Sequence, residues 1–467
     1  MRASSKLLIY SLVILFSPVL TASELSKQIS RIINQPSEKN VQYGIHVVRA
    51  ATGKTVYRYN AENPLIPASN MKIITTAAAV HYLGVDYVYK TVAGLSGDTL
   101  VIIASGDPLL ADSAVDSKYG RISDWFLSSI AEALKAKNIS SINDIIIDTT
   151  IFDDERVHPS WPTDQLNRWY ACETSGLNYN NNCVDITVTN NAGSIVLTMN
   201  PPNNFIKLIN QVTPRTSGNE AVGCYRTAQM NNWIVRGTCV TRQGPFPVAI
   251  ERPASFVAFL LTEYLRNQGI DVRGNYIEQR FIPDANFQTI FTHETKLADC
   301  LDRANKNSLG LAAESLFKTI AASKNNNRNG NWYDAQNAVS EYLANLKIPS
   351  EQFIIDDGSG LSRKNRLSAW AITTVLLDQY KKDSWQMYKD SLAAGGVDGT
   401  IRRYFDKPPY RENIRGKTGY ISGVRSFSGI CSSDGREYIF SIIVNNANGV
   451  ARADINAISK AIVDHAK

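Results

Sequence analysis

Histidine is scarce in this sequence of 467 residues, which contains only five. None of the five has neighbours in a pattern that suggests a Ser-His-Asp triad, and the chain lacks the G-x-S-x-G motif of many serine hydrolases. We therefore interpret all five as structural or surface residues: His46, His81, His158, His293 and His465. If the chain is a serine enzyme, its base is expected to be a lysine.

Cysteines are also few, and their spacing does not favour a metal site. The six cysteines include no C-x-x-C pair, and no histidine stands at ligand spacing. A zinc site is thus the less favoured alternative, and no metal or other cofactor is expected. An even cysteine count in an oxidising compartment is typical of disulfides, and the spacing favours two local bridges, Cys172–Cys183 and Cys224–Cys239.

The sequence has no block of one charge sign. Its formal net charge is +6, and losing Arg2 and Lys6 with an N-terminal leader would leave +4. A nucleic-acid partner, which needs a basic stripe or a recognisable module, is therefore not expected. The mild positive charge suits a peripheral association with an anionic wall or membrane surface.

Only the N-terminus contains a long apolar run. Arg2 and Lys6 precede "LLIYSLVILFSPVL", and the small residues "TAS" follow, which predicts a signal peptide over residues 1–22. A retained membrane anchor is the alternative, but the run is short and is broken at Ser17-Pro18. We expect a protein secreted across the cytoplasmic membrane, periplasmic or otherwise extracytoplasmic, with no transmembrane anchor after cleavage.

The two ends of the mature chain have a similar texture. Residues 23–91 and 291–467 contain β-rich runs joined by short turns, together with amphipathic helices, and these suit one antiparallel sheet. Residues 92–290 have short strands separated by turn-rich stretches. The pattern predicts an α+β multidomain protein, in which a discontinuous domain carries a strand-rich two-part insertion with a nested part near 175–250.

The stretch "PASNMKIITTAAAVHYLG" places a serine beside a lysine. Ser69 and Lys72 are three residues apart at the start of a predicted helix, so their side chains share one face. Serine needs a base, and a lysine serves if burial lowers its pKa from about 10.4 towards 7. Ser69 is either a nucleophile with its base or simply a helix cap. A second S-x-x-K, Ser315 to Lys318, falls in mid-helix and is interpreted as chance.

The segment "GKTG" suggests a phosphate-binding loop, but its surroundings contradict that interpretation. Arg411 stands where the phosphate loop needs its first glycine, and a turn and strand follow instead of a helix. The alternative is a K-T-G on an edge strand. Lys417 then supplies positive charge, and the strand pairs with an extended peptide.

The S-x-x-K, serine-led and K-T-G motifs, in this order, resemble the signature of penicillin-recognising serine enzymes. The resemblance is more specific, to class C low-molecular-mass penicillin-binding proteins, the D-alanyl-D-alanine carboxypeptidase/endopeptidase family of the penicillin-binding protein 4 type. It covers nearly the whole mature chain, and its more specific stretches are "SGDPLL", "DDGSGLSRKN" (356–365), "GGVDGTIRRYF" (395–405) and "GKTGYISGV".

The resemblance implies a transpeptidase-like domain, an antiparallel sheet flanked by helices with a helical subdomain, and a two-part module between the first and second motifs. It also implies that peptidoglycan stem peptides are the substrates and that β-lactams are inhibitors. Ser69 would attack the D-Ala-D-Ala carbonyl and form an acyl-enzyme, while Lys72 takes its proton. Ser308 would pass a proton to the leaving D-alanine, and Lys417 would hold the substrate carboxylate.

The same resemblance implies a set of substrate-binding residues. The backbone N–H groups of Ser69 and Tyr420 would form the oxyanion hole, because Tyr420 directly follows the K-T-G. Thr418 and Gly419 belong to the strand that would bind the peptide. Arg363 would line the stem-peptide pocket, where a guanidinium suits a carboxylate.

One position departs from the family pattern. The second motif of the family is S-x-N, and here it reads Ser308-Leu309-Gly310. Asn305 and Asn307 are nearby amides that are not in register with the missing one. The departure motivates one alternative to an active DD-peptidase, a catalytically weakened peptidoglycan-binding or scaffold protein. A secreted β-lactamase or esterase that uses the same residues is a separate alternative, and the long insertion and "DGSGLSR" point away from it.

Overall fold

A computed structural model describes residues 19–465 of the protein. The predicted signal peptide, residues 1–22, lies almost entirely outside this range. Between residues 19 and 465, no helix has both the length and the apolar character that a membrane crossing requires.

The helices are distributed along the whole described chain. Residues 19–465 form eleven α-helices: α1 (Val19–Ile33), α2 (Met71–Leu83), α3 (Ser113–Lys118), α4 (Trp125–Ala136), α5 (Pro253–Asn267), α6 (Leu297–Lys306), α7 (Gly310–Lys324), α8 (Trp332–Asn345), α9 (Ala369–Tyr380), α10 (Trp385–Ser391) and α11 (Ala451–His465).

The β-strands lie between residues 42 and 445. The same residues form these strands: β1 (Gln42–Arg49), β2 (Thr55–Tyr59), β3 (Val88–Ser96), β4 (Thr99–Ile103), β5 (Ser141–Ile142), β6 (Ile145–Asp148), β7 (Cys183–Asn191), β8 (Ser194–Asn200), β9 (Lys207–Pro214), β10 (Ala221–Arg226), β11 (Asn232–Cys239), β12 (Arg242–Ala249), β13 (Asp271–Val272), β14 (Tyr276–Glu278), β15 (Gln288–Lys296), β16 (Phe353–Ile354), β17 (Arg366–Leu367), β18 (Ala393–Ala394), β19 (Ile414–Ile421), β20 (Val424–Ser433) and β21 (Arg436–Asn445).

The two chain ends share one six-stranded sheet, as expected from their texture. Its order is β18-β19-β20-β21-β1-β2, and every neighbouring pair is antiparallel. Successive residues of a strand point to opposite faces, so Ile442 packs in the core with α1 and α11, and Ile443 packs in the core with α2 and α9. The sheet is thus buried on both faces, and β19, next to the short edge strand β18, lies against the turn that leads into α2.

The middle of the chain forms separate sheets around a second core. A five-stranded sheet has the order β14-β6-β4-β3-β15, and β7 to β12 form two three-stranded sheets. The α+β class predicted from the sequence is confirmed. The boundaries at residues 92 and 290 stay predictions, since β3 begins and β15 ends a few residues outside them.

The predicted disulfides are absent from the described residues, where all six cysteines are free and buried. The Cys224–Cys239 prediction is wrong because Cys224 lies opposite Val235, four residues along β11 from Cys239. That offset is about 13 Å along the strand, beyond the reach of a bridge. Burial raises the pKa of the Cys183 thiol, and neighbouring Cys172 raises it further, but the two cysteines are not bonded. In residues 19–465, no cluster of His, Cys, Asp and Glu could hold a metal ion.

Candidate active site

Ser69 lies in a 3₁₀ turn, Ala68–Asn70, which leads directly into α2. The preceding residue, Ala68, has φ of +47°, a left-handed conformation that is strained for a residue with a side chain. One helical turn later the Lys72 ammonium lies 3.3 Å from Ser69 Oγ. The sequence-predicted serine–lysine pair is therefore brought together, and the hydroxyl is at the N-terminal end of the helix.

Lys72 is fully buried, and its surroundings lower its basicity. Burial lowers the pKa of Lys72 from 10.5 to about 8, and the nearby charges of Glu314 and Asp357 oppose that shift. The ammonium also donates to the carbonyl of Ser359 over 2.7 Å. A lysine with a pKa near 8 is partly neutral close to physiological pH, which a general base requires.

Glu314 is a residue that motif reasoning missed. Its buried carboxylate accepts hydrogen bonds from the backbone N–H of Ser359 at 2.7 Å, of Gly358 at 3.1 Å, and from Trp332 Nε1 at 2.8 Å. These bonds fix the loop whose carbonyl binds Lys72, so Glu314 positions Lys72 through the loop. The signal in the sequence is a lone acidic residue within the apolar helix "LAAESLF".

Lys417 and Ser308 form the second half of the site. Lys417 is 0% exposed in β19, and its Nζ donates to Ser308 Oγ over 2.9 Å and to the Thr418 carbonyl over 2.7 Å. Burial lowers the pKa of Lys417 well below its ordinary value, with further lowering by the charges of Lys72 and Arg452. Ser308 has φ of +61°, which is a left-handed backbone conformation. Ser69 directly follows a residue, Ala68, with the same kind of conformation.

The K-T-G strand lies directly against the start of α2. Asn70 Nδ2 donates to the Lys417 carbonyl over 2.9 Å, and Ser426 Oγ donates to the Pro67 carbonyl over 2.7 Å. A methyl group on Gly419 would lie 2.8 Å from the Pro67 oxygen and 3.1 Å from Ser69 N, so only glycine permits this approach. The close approach places Gly419, the residue before Tyr420, beside the N–H of Ser69.

The remaining predicted residues line the rim of the site. Thr418 Oγ1 donates to Thr400 Oγ1 over 2.8 Å, and the Tyr420 side chain is 64% exposed. Arg363 is exposed, and its Nη1 donates to the Ser422 carbonyl in the turn between β19 and β20 over 3.0 Å. A stem-peptide role for Arg363 stays a prediction.

The space beside Gly310 is already filled. A side-chain carbon at this position would lie 2.8 Å from the carbonyl oxygen of Tyr170, in a turn that packs on the start of α7. Of the two nearby amides, Asn305 is turned into the core, where its Nδ2 donates to Ser391 Oγ over 3.0 Å. Asn307 is exposed. Backbone of the middle segment therefore occupies the place from which an asparagine side chain would start.

Comparison with known proteins agrees with this geometry. Residues 25–467 match the family model described as the D-Ala-D-Ala carboxypeptidase 3 (S13) family. The chain belongs to this family. It is a serine-type DD-peptidase, as the resemblance of its motifs implies.

Relatives and solved structures extend the match over most of the chain. The D-alanyl-D-alanine carboxypeptidase of Actinomadura sp. strain R39 is 26% identical over 473 residues, covering 95% of this chain and 85% of that protein. The carboxypeptidase DacB of Haemophilus influenzae is 27% identical, covering 86% of this chain and 84% of its own. The crystal structure of penicillin binding protein 4 from H. influenzae has a TM-score of 0.78 at 23% identity, and the match covers 95% of this chain and 98% of that one. The penicillin-recognising fold with an insertion is thereby confirmed.

Proposed function

We propose that this DD-peptidase cleaves the D-Ala-D-Ala bond of peptidoglycan stem peptides through an acyl-enzyme on Ser69. The observation that carries the proposal is the fully buried Lys72, whose nitrogen lies 3.3 Å from Ser69 Oγ and whose pKa burial lowers to about 8. A serine hydroxyl is a poor nucleophile without a base at this distance.

Acylation begins with the neutral form of Lys72. Its lone pair accepts the Ser69 proton while Ser69 Oγ bonds to the carbonyl carbon of the penultimate D-alanine. The oxygen of the tetrahedral intermediate is then held by the backbone N–H groups of Ser69 and Tyr420. The approach of Gly419, the residue before Tyr420, to Ser69 N supports this assignment.

Collapse of the intermediate breaks the carbon–nitrogen bond. The leaving nitrogen takes a proton from the Ser308 hydroxyl, which is bonded to Lys417 Nζ at 2.9 Å. Ser308 is reprotonated with the proton that Lys72 took from Ser69, so Lys72 becomes neutral again. The terminal D-alanine departs as a free amino acid, and the rest of the peptide stays as an ester on Ser69. Water then attacks the ester and releases the shortened peptide, so no metal or cofactor takes part in these steps.

The same ester chemistry applies to β-lactams. A relative in fold is a penicillin binding protein, and the site offers the same serine, lysine and K-T-G strand. We therefore propose that β-lactams acylate Ser69. We also propose that Arg363 contacts the stem peptide, and that peptide cross-links are a second substrate.

The proposed substrate requires a location outside the cytoplasmic membrane. The N-terminal pattern of charged, apolar and small residues supports export with cleavage near residue 22. We propose that the mature protein is periplasmic or otherwise extracytoplasmic and that its mild positive charge favours contact with an anionic wall.

The test uses purified protein with defined monomeric and cross-linked muropeptides, and mass spectrometry of the products. Loss of one alanine from the monomer supports carboxypeptidase action, and conversion of the cross-linked dimer to monomers supports endopeptidase action. A matched incubation with penicillin, followed by peptide mapping, is expected to place the adduct on Ser69. An adduct on another residue, or no product from either muropeptide, contradicts the proposal.

A weakened, wall-binding protein is the second candidate function, and Gly310 is the observation that favours it. A positioned hydrogen-bond donor that holds the substrate carbonyl is worth about 1–3 kcal/mol, which glycine lacks. This candidate predicts binding to peptidoglycan sacculi with very slow acylation. A sedimentation assay with sacculi, run beside the muropeptide assay, separates the two functions.

A further inference from the structure

Asp112 and Arg303 form an ion pair that joins two helices from different parts of the chain. Asp112 is 0% exposed at the start of α3, and Arg303 lies in the last turn of α6 with 16% of its side chain exposed. One carboxylate oxygen, Asp112 Oδ2, accepts from Arg303 Nη2 at 2.7 Å and from Nε at 3.1 Å. Two such bonds to an ionised group are strong and fix the direction of the guanidinium.

The other carboxylate oxygen anchors Asp112 itself. Oδ1 accepts from the backbone N–H of Ala114 at 3.1 Å and of Val115 at 3.0 Å, and so caps the start of α3. Arg303 is therefore tied, through one carboxylate, to the backbone of the segment that lies between the first and second motifs.

The backbone of Arg303 is in turn bonded to the second motif. Its carbonyl accepts from the N–H of Leu309 at 3.0 Å, which closes the loop between α6 and α7 around Ser308. Ser308 has φ of +61°, a conformation that is costly for a serine and persists only where the surrounding structure holds it. The bonded N–H belongs to the next residue, so the Asp112–Arg303 pair supports the serine through the end of α6.

The hydroxyl of Ser308 is held from the other side by Lys417. Lys417 Nζ donates to Ser308 Oγ over 2.9 Å, so the serine oxygen is the acceptor of that bond and the serine's own proton is available to another acceptor. The direction of this proton depends on where the Ser308 backbone lies. Gly310, the third residue of the motif, has no side chain that could contribute, so the position of Ser308 depends on contacts of the neighbouring backbone.

We propose that Arg303, fixed by Asp112, is a positioning residue that sets Ser308 for proton transfer to the leaving nitrogen. This inference rests on the proposed function and adds to it two residues outside the three motifs. As the carbon–nitrogen bond breaks, its electron pair stays on the nitrogen, which takes the Ser308 proton, and Ser308 regains a proton from Lys72. A sulfur leaving group needs no such proton, because thiols are acidic enough to leave as thiolates. The ion pair therefore matters for an amide substrate and not for a thioester.

The experiment compares two synthetic probes that form the same acyl-enzyme, diacetyl-Lys-D-Ala-D-Ala and the thioester diacetyl-Lys-D-Ala-D-thiolactate. Asp112→Asn keeps an oxygen that can cap α3 but replaces the charged oxygen that binds Arg303. General acid catalysis contributes about 10²–10⁴-fold, so partial misplacement of the acid is expected to lower kcat/KM about tenfold for the amide and less than about twofold for the thioester. Arg303→Lys, which keeps the charge, is expected to lose less on the amide than Asp112→Asn does.

Lys118→Gln is the matched control. Lys118 joins the same two helices, α3 and α6, through Asp299 Oδ1 at 2.6 Å, but Asp299 lies in the first turn of α6, at the opposite end of the helix from Ser308. Asp299 keeps a second partner, the hydroxyl of Tyr119 at 2.8 Å. The control is expected to leave the amide-to-thioester ratio of kcat/KM unchanged. Equal losses on the two probes in Asp112→Asn, no loss on the amide, or the same change of ratio in the control overturn the inference.

Ser308→Ala separates failure of the inference from failure of the proposed function. It is expected to cost the amide far more than the thioester. If it costs both probes equally, or if penicillin leaves no adduct on wild-type Ser69, the proposed function fails and the inference falls with it. If Ser308→Ala discriminates between the probes and Asp112→Asn does not, only the inference fails.

Arg303→Lys decides the question if Asp112→Asn does not fold, as judged by its thermal melting curve. A loss confined to the amide supports the inference. Equal losses on the two probes, or no loss on either, overturn it.

Discussion

The S-x-x-K pattern occurs twice in this protein, and the two copies have different surroundings. Lys72 and Lys318 are both buried, and each nitrogen binds one backbone carbonyl. The second partner of the Lys72 nitrogen is the Ser69 hydroxyl, whereas the second partner of the Lys318 nitrogen is the Asp153 carboxylate, in an ion pair at 2.5 Å. Its own partner in the motif, Ser315, has a buried hydroxyl with no hydrogen bond among the described residues.

The difference shows that spacing alone does not make a serine reactive. Burial lowers the pKa of Lys318 as it does for Lys72, but the bonded carboxylate of Asp153 opposes the shift. Lys318 also stacks on Trp332, 4.1 Å from the ring centroid, and so serves the packing of α7. A base for catalysis requires burial without a bonded carboxylate, together with a serine at an accessible helix start.

The largest predicted effect separates the two serines. Ser69→Ala is expected to lower the rate of D-alanine release by about a factor of 10⁶, because nucleophile and base act as one unit. Ser315→Ala is the matched control and is expected to retain activity, since it removes only an unpartnered buried hydroxyl. Release is followed by a coupled D-amino-acid assay. Comparable losses in both variants would remove the distinction between the two copies.

The next effect separates the two lysines by stability. Lys318→Met leaves the Asp153 carboxylate without its partner, and we expect the free energy of unfolding to fall by about 3 kcal/mol. Lys72→Met breaks no ion pair at hydrogen-bond distance, so its loss of stability should be smaller, while its activity should disappear. Urea unfolding midpoints and D-alanine release measure the two quantities on the same preparations. A larger loss of stability in Lys72→Met would contradict this assignment.

The start of α7, the helix that carries Ser315, provides the third prediction. Gly310→Asn restores the family motif but drives a side chain against the Tyr170 carbonyl, so we expect about 1–3 kcal/mol of lost stability and no gain in turnover. Asn307→Ala, an exposed change one residue before the serine-led motif Ser308-Leu309-Gly310, is the control for stability. A rise in acylation rate in Gly310→Asn would favour the wall-binding candidate.

The smallest predicted effect is a pH dependence of the acylation rate, which follows the titration of Lys72 and not that of Lys318. Because the pKa of Lys72 is lowered from 10.5 to about 8, its neutral form is scarce below pH 8 and predominant above it. The rate of β-lactam acylation should therefore rise about tenfold per pH unit below pH 8 and level off above it. Rates from stopped-flow fluorescence measure the profile, and a rate that falls as pH rises is the contrary result. Lys318→Met should leave the midpoint in place.

Much of the fold and of the site could be predicted because it rests on local patterns. The main strands of the terminal sheet are β-rich runs bounded by short turns, and Ser69 and Lys72 needed only helical periodicity to be placed together. The disulfide prediction for Cys224 and Cys239 failed because spacing along the chain does not report strand register. Glu314 was missed because a single charged residue has no motif.

The sequence by itself determined the order of the three motifs, the separation of 236 residues between the first two, and the family that these features resemble. Only the tertiary structure decided the surroundings of each buried lysine. Lys417 meets a serine 109 residues away, and Lys318 meets an aspartate 165 residues away. Charge and burial depend on such distant contacts, because desolvation and Coulomb forces act through space and are indifferent to distance along the chain.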